Sequence, residues 1–193
     1  KTVFSCQTCG YQAPKWLGKC PDCGSWNSFV EEQATSGLDR SAQAISISGQ
    51  EIPPQSITAI DTREEGRVKT EVSEFDRVLG GGLVIGSVVL IGGDPGIGKS
   101  TLLLQALDKL ASKGVSVLYV SGEESLRQTK IRADRIGVSS KNLYVLAENS
   151  LEKITEDLKK LKPKVAVIDS IQTVFTSQLQ SAPGSISQVR ESA

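Results

Sequence analysis

The ten residues Gly92-Gly93-Asp94-Pro95-Gly96-Ile97-Gly98-Lys99-Ser100-Thr101 constrain this chain more than any other stretch. An apolar run over 88–91 precedes them, and residues 102–107 continue as a helical pattern, so the local order reads strand, glycine-rich loop, helix. From Gly93 the spacing is G-x-x-x-x-G-K-S, the phosphate-binding P-loop. Glycines let the backbone bend closely round a phosphate and aim successive N–H groups at it. The start of the following helix adds the positive end of its dipole. Lys99 can reach the β- and γ-phosphates, and the Ser100 hydroxyl can ligate Mg²⁺. A glycine-rich turn with no ligand is the plainer alternative, and the flanking strand and helix argue against it. The expected ligand is a nucleoside triphosphate with Mg²⁺.

All four cysteines fall in the first 23 residues, as Cys6-x-x-Cys9 and Cys20-x-x-Cys23. Paired knuckles of this kind read as a tetrahedral zinc site. Gly10 and Gly24 follow the knuckles and permit the left-handed turn that such loops use. Disulfides would need an oxidising compartment, for which no secretory signal speaks, and a redox C-x-x-C would need a thioredoxin-like surround. Four protein ligands leave the metal no open position, so it folds the module and does no chemistry. With zinc bound, the charges of the module balance, so it is not a basic patch. Trp16, Trp26, Tyr11 and Phe29 are expected to form its small core rather than a base-stacking platform.

The 193 residues suit one domain plus a small one. The formal net charge of 0 gives no argument of its own for nucleic acid. No apolar run approaches the roughly 20 residues of a membrane span, no signal-peptide pattern opens the chain, and a cytoplasmic protein with no membrane partner is expected. The chain has no methionine, so Lys1 reads as other than the natural start, and residues 187–193 read as a helix cut short. The expected organisation is a four-cysteine zinc finger over 1–30, a flexible linker over 31–57 with at most a short strand at 44–47, and an ATPase core over 58–193. Residues 62–68 are charged and read as an exposed turn. Ser73 is expected to cap a short helix through Leu79.

Beyond the P-loop helix, strands are expected at 115–120, 142–146 and 165–170. They alternate with a helix ending near Ile136 and an amphipathic helix opening at Ser150 and stopped by Pro163. This alternation predicts an α/β domain with a mainly parallel sheet. Asp169 ends an apolar strand, where P-loop enzymes place a carboxylate that holds the Mg²⁺ shell; the alternative is a solvated strand-end aspartate. Glu123 and Glu124 end the neighbouring strand. Adjacent residues on an extended end point to opposite sides, so at most one can face the γ-phosphate. Gln172 is either a γ-phosphate sensor or an exposed glutamine.

Taken together, the cysteine knuckles, the Phe75-Asp76-Arg77-Val78-Leu79-Gly80-Gly81-Gly82 stretch, the P-loop, Tyr119-Val120-Ser121-Gly122-Glu123-Glu124-Ser125 and Val167-Ile168-Asp169-Ser170-Ile171-Gln172 resemble the bacterial RadA (Sms) family of DNA repair proteins. The resemblance is weakest over 31–50. It implies a RecA-like ATPase core with ATP as substrate, structural Zn²⁺ and catalytic Mg²⁺. It further implies a homo-hexameric, helicase-like motor of the DNA damage response that binds single-stranded DNA and drives branch migration of recombination intermediates. A recombinase or replicative helicase would be its protein partner. The same resemblance puts the catalytic glutamate at Glu123, with Glu124 in reserve, beside Lys99. It assigns the metal role to Ser100 and Asp169 and nucleotide binding to Gly93 through Thr101. The family continues with further core strands, a Lys-Asn-Arg-Phe-Gly motif and a Lon-protease-like domain, none of which appears in this sequence. Residues 176–184 lie where RecA-like proteins carry a DNA-binding loop, yet contain no Lys or Arg. A different class of function, a KaiC-like ATPase switch that regulates protein partners without touching DNA, fits the P-loop domain taken alone. In a third, the zinc module is a docking surface for a partner.

Overall fold

The computed structural model describes residues 2–33, 56–59, 66–179 and 181–193. The expected linker strand at 44–47 and residues 62–65 of the charged turn lie outside them. The chain forms two compact units, the first comprising Lys1–Glu64 and Gln178–Ser181 and the second Glu65–Ser177 and Ala182–Ala193.

In the first unit, β1 (Thr2–Cys6), β2 (Gln12–Ala13) and β3 (Phe29–Gln33) make an antiparallel sheet in the order β2-β1-β3. Pairing of β3 with β1 carries strand structure to Gln33, inside the stretch expected to be linker. The core is Cys6, Ala13, Cys20 and Phe29, with Phe4, Cys9 and Leu17 packed on it. This corrects the expectation of an aromatic core. Phe29 is buried, but Trp26 is 71% exposed, Trp16 50% and Tyr11 40%. The cysteines themselves fill the centre of so small a sheet, which leaves room for one ring. Tyr11 meets the edge of Phe29, and the Lys19 ammonium stands 5.4 Å from the centroid of the Trp26 ring.

The second unit begins with a short hairpin, β4 (Arg67–Val68) and β5 (Leu83–Val84), closed round α1 (Ser73–Val78). Ser73 does not cap α1; Val72 holds that position without a side-chain bond. The Asp76 carboxylate instead accepts from the Thr70 N–H and hydroxyl and the Glu71 N–H, which tightens the approach to the helix. The apolar run 88–91 joins no sheet among the described residues, although a strand is expected there. Val88 and Leu90 are exposed. A strand exists through hydrogen bonds to a neighbour, and none among the described residues runs alongside.

The main sheet is parallel, in the order β7-β6-β8, built from β6 (Val117–Ser121), β7 (Leu143–Ala147) and β8 (Val165–Asp169). Helices α2 (Lys99–Ser112), α3 (Leu126–Arg135) and α4 (Leu151–Leu161) alternate with these strands, and α5 (Ile186–Ser192) ends the chain. Every residue of β6 is buried, because both faces of the sheet are covered there. Alternation along β6 sends Val117 and Tyr119 to the side of α2, with Leu104, Leu107 and Leu110. Leu118 and Val120 go to the other side, with Ile154 of α4 and Val174. Ser125 and Gln128 form a capping box at the start of α3. No helix among the described residues is long and apolar enough to cross a membrane.

The loop after β8 is tied down twice. Gln188 of α5 accepts from the Thr176 N–H at 2.9 Å and donates to the Thr176 carbonyl at 3.2 Å. Glu152 of α4 accepts from the Thr176 hydroxyl at 2.7 Å and the Ser177 N–H at 3.0 Å. The Thr176 hydroxyl leads the groups that bring Glu152 down to about 2. A carboxylate depressed in the fold adds stability above its unfolded pKa and loses it as pH falls towards the folded one. Glu152→Gln should therefore cost on the order of 1 kcal/mol at pH 7, after allowance for solvent screening of an exposed group. The deficit should shrink between pH 4.5 and about 2. Denaturant unfolding followed by the helical signal tests this, and an unchanged midpoint at pH 7 would contradict it.

Candidate nucleotide site and zinc centre

The P-loop enters α2 through Gly96 and Gly98, at φ 79° and 100°, backbone that L side chains seldom adopt. Gly98 is the N-cap of α2 and no side chain caps the helix. Its first N–H groups are therefore open to an acceptor from outside the helix. A Cβ built on Gly92, Gly96 or Gly98 would meet nothing within 4 Å, so the cradle borders open space of the kind phosphate groups need. Asp94, Pro95 and Ile97 lie on the exposed rim of the loop, and Ser100 and Thr101 are half-buried in the first turn of α2. The Lys99 ammonium folds back on the loop, donating to the carbonyls of Gly93 at 2.7 Å and Asp94 at 2.8 Å.

Parallel pairing brings Ser121 of β6 level with Ala147 of β7 and Asp169 of β8. The carboxyl ends of the strands thus share one edge, where ligands of open α/β sheets bind. There the buried Tyr119 hydroxyl donates to Asp169 Oδ2. Burial first, and then the Asp169 carboxylate, push Tyr119 well above the ordinary tyrosine value, with Arg132 and Ser100 acting in the other direction. The phenol therefore stays protonated and remains a donor. Tyr119 packs in one cluster with Leu104, Leu107 and Leu110 of α2, the helix that carries Ser100 in its first turn. Hard divalent cations take oxygen ligands. A hydroxyl from the first turn of α2 and a carboxylate at the end of β8 are a donor set that suits Mg²⁺.

The two glutamates part company. The Ser170 hydroxyl donates to Glu123 Oε1 at 3.1 Å, which stands Glu123 beside the residue after Asp169. Glu124 turns towards α3 and forms an ion pair with Arg132, while its Oε2 is buried without a partner among the described residues. Burial opposes the Arg132 charge, but the bond to Glu124 outweighs it and raises the guanidinium above its usual value. Gly122 makes this crossing possible. Its N–H donates to the Asp169 carbonyl at 2.9 Å, and a Cβ there would collide with the Thr173 side chain. Gln172 is exposed in the single turn Ile171–Thr173.

Sequence reasoning singled out Ser100, Asp169, Glu123 and Glu124 but passed over Tyr119, Ser170, Arg132 and Gly122. Tyr119 left no mark in local periodicity, and only the strand register gives its place meaning. It is the one residue with a polar tip between Val117 and Val120, and it shares strand parity with Ser121, which lies level with Asp169. Ser170 and Arg132 carried no signal either, since their roles depend on a turn and on a helix face.

At the zinc module, the four cysteine Sγ atoms lie within 4.8 Å of one another. Cys6 and Cys23 are 3.7 Å apart, and Cys9 and Cys20 are 3.6 Å apart. Tetrahedral zinc with Zn–S bonds of about 2.3 Å sets sulfurs about 3.8 Å apart, so the quartet fits the ion. All four are free thiols rather than disulfides. Burial works against the Cys6 thiolate, yet the Ser28 hydroxyl and the backbone beside it prevail and bring it to about 6. The backbone at Tyr11 favours the Cys9 thiolate, but burial and the three neighbouring sulfurs push it to about 12.

Two family models match stretches of the chain. Residues 4–31 match the zinc-ribbon family described as the rubredoxin metal binding domain, and residues 68–147 match the KaiC ATPase family. The protein named DNA repair protein RadA of Bacillus subtilis is 56% identical over 99% of this chain and 42% of its own length. Its namesakes in Halalkalibacterium halodurans and Listeria monocytogenes are 55% and 54% identical, over 99% and 98% of this chain and 42% and 41% of their own lengths. Over nearly its whole length the chain is similar to these RadA proteins. It spans about two fifths of the length of the curated RadA relatives it matches. The zinc-ribbon match takes in all four cysteines, and the ATPase match takes in the P-loop, Tyr119 and both glutamates, while Asp169 lies past it.

The chain has 4 cysteines and 2 tryptophans, all in this module, which makes its metal dependence easy to follow. A strong chelator at neutral pH should render all four thiols reactive to a thiol reagent and shift the emission of Trp16 and Trp26, with nucleotide binding retained. Thiols that react at the same rate with and without chelator would contradict a zinc-held module.

Proposed function

We propose that this chain carries the nucleotide-binding part of an ATP-hydrolysing DNA repair motor of the RadA family. In this reading the motor binds single-stranded DNA and promotes branch migration of recombination intermediates. One observation carries the enzymatic half: the Tyr119 hydroxyl holds Asp169 at the carboxyl edge of the sheet, with Glu123 bonded to the next residue along, in a chain whose P-loop glycines border open space. The biological half is supported by relatives that bear the name DNA repair protein RadA.

In this reading backbone N–H groups between Gly93 and Thr101, Pro95 having none, bind the phosphates of ATP, and Lys99 exchanges its loop carbonyls for phosphate oxygens. Bound Mg²⁺, held by Ser100 and Asp169, would neutralise charge on the transferred phosphoryl group. Glu123 orients the attacking water and accepts its proton. Glu124 is the weaker candidate for that task, because its charge is already committed to Arg132. A neighbouring protomer of a homo-hexamer would add a cation in trans, as in many related ATPases. The zinc ribbon is a structural element with no open coordination position. A recombinase or replicative helicase is the proposed protein partner, and the cytoplasm the proposed location.

The match of residues 68–147 to the KaiC family favours one competing reading, an ATPase switch that regulates protein partners without touching DNA. The absence of Lys and Arg from residues 176–184 is compatible with it.

Variants of the intact protein test the site, and its response to DNA decides between the two readings. Lys99→Ala should abolish ATP turnover, and unchanged hydrolysis would refute the site. Glu123→Gln should lower kcat by about 10²–10⁴-fold while leaving ATP binding intact. Glu124→Gln should act mainly on stability, and the reverse order would exchange their roles. Single-stranded DNA should stimulate hydrolysis, with the effect fading as salt rises; no stimulation and no gel shift would favour the switch.

A further inference from the structure

We propose that Tyr119 is a positioning residue for the metal site: its buried hydroxyl holds Asp169 by Oδ2 and leaves Oδ1 as the carboxylate oxygen available to a divalent cation. The inference rests on the reading of Ser100 and Asp169 as the metal-holding pair. Tyr119 is 1% exposed and packs in the cluster formed with Leu104, Leu107 and Leu110 of α2. A phenylalanine would fill that core equally well. The hydroxyl is what distinguishes tyrosine here, and a buried hydroxyl must find a partner. Its partner is a carboxylate at the end of the adjacent strand, a charge-assisted bond stronger than one between neutral groups. Among the described residues, Oδ2 alone of the two Asp169 oxygens accepts a hydrogen bond.

The placement has a mechanical consequence. Tyr119 comes from β6, whose ring anchors α2, and α2 carries Ser100 in its first turn. The same side chain therefore packs against the helix that supplies the hydroxyl ligand and bonds the strand that supplies the carboxylate. Groups that orient metal ligands in this way commonly contribute 10–100-fold to metal affinity.

The test compares Tyr119→Phe with Asp169→Asn in the intact protein, with Mn²⁺ as probe and ADP present. Electron paramagnetic resonance reads the free metal. Tyr119→Phe should weaken Mn²⁺ binding about tenfold, leave ADP affinity in a chelator unchanged, and add no further loss to Asp169→Asn. If Asp169→Asn loses Mn²⁺ but Tyr119→Phe binds it as the parent does, Tyr119 is only a core ring and the metal reading survives. If Asp169→Asn binds Mn²⁺ unchanged, the metal reading falls and the role of Tyr119 with it. Should Tyr119→Phe not fold, the unaltered protein supplies a second readout through ¹³Cζ-labelled tyrosine. Adding Mg²⁺ to the ADP complex should move the Tyr119 resonance but not those of Tyr11 and Tyr144, and no movement would contradict the proposal.

Discussion

Parallel pairing of β6 with β8 is the constraint on which the candidate site depends. It sets Ser121 level with Asp169 and places Tyr119, two residues back, where its hydroxyl meets the carboxylate. It also brings Gly122 against the Asp169 carbonyl and Glu123 against Ser170. A slip of one residue would turn Tyr119 to the face of α4 and carry Glu123 away from β8. Register here is held by burial on both faces. Val117 and Tyr119 fit the α2 side, Leu118 and Val120 the α4 side, and neither set can move without exposing the other.

The two ends of the chain solve stability by different means. The second unit buries aliphatic side chains between helices and a sheet. The first is too small for that and turns to four sulfurs, with Cys6 and Cys20 at its centre and Phe29 beside them. This division explains why tryptophan sits outside. A metal quartet already occupies the place where a large ring would go, and Trp16 and Trp26 are left on the surface.

Most of the architecture could be read from spacing. Alternating apolar strands and amphipathic helices led to a parallel α/β domain, and the paired C-x-x-C knuckles led to a zinc ribbon. The P-loop was legible as a loop followed by a helix beginning at Lys99, and Asp169 as the end of an apolar strand. Three features were not legible, each for a physical reason. The run 88–91 has the composition of a strand, but strand structure also needs a paired neighbour. The aromatic residues of the zinc module are apolar, but burial depends on the volume the sulfurs leave. Tyr119 looked like one more strand residue, because a hydrogen bond across two strands leaves no trace in local periodicity.

The central claim is that the first turn of α2 and the end of β8 hold one metal ion between them at a bound triphosphate. The most direct measurement is a crystal structure of the intact protein with Mg²⁺ and a non-hydrolysable ATP analogue. The account predicts a metal in contact with the Ser100 hydroxyl and with Asp169, directly or through one water, while Tyr119 keeps its bond to Oδ2. Triphosphate bound with its metal away from Asp169, or a P-loop left empty, would contradict it.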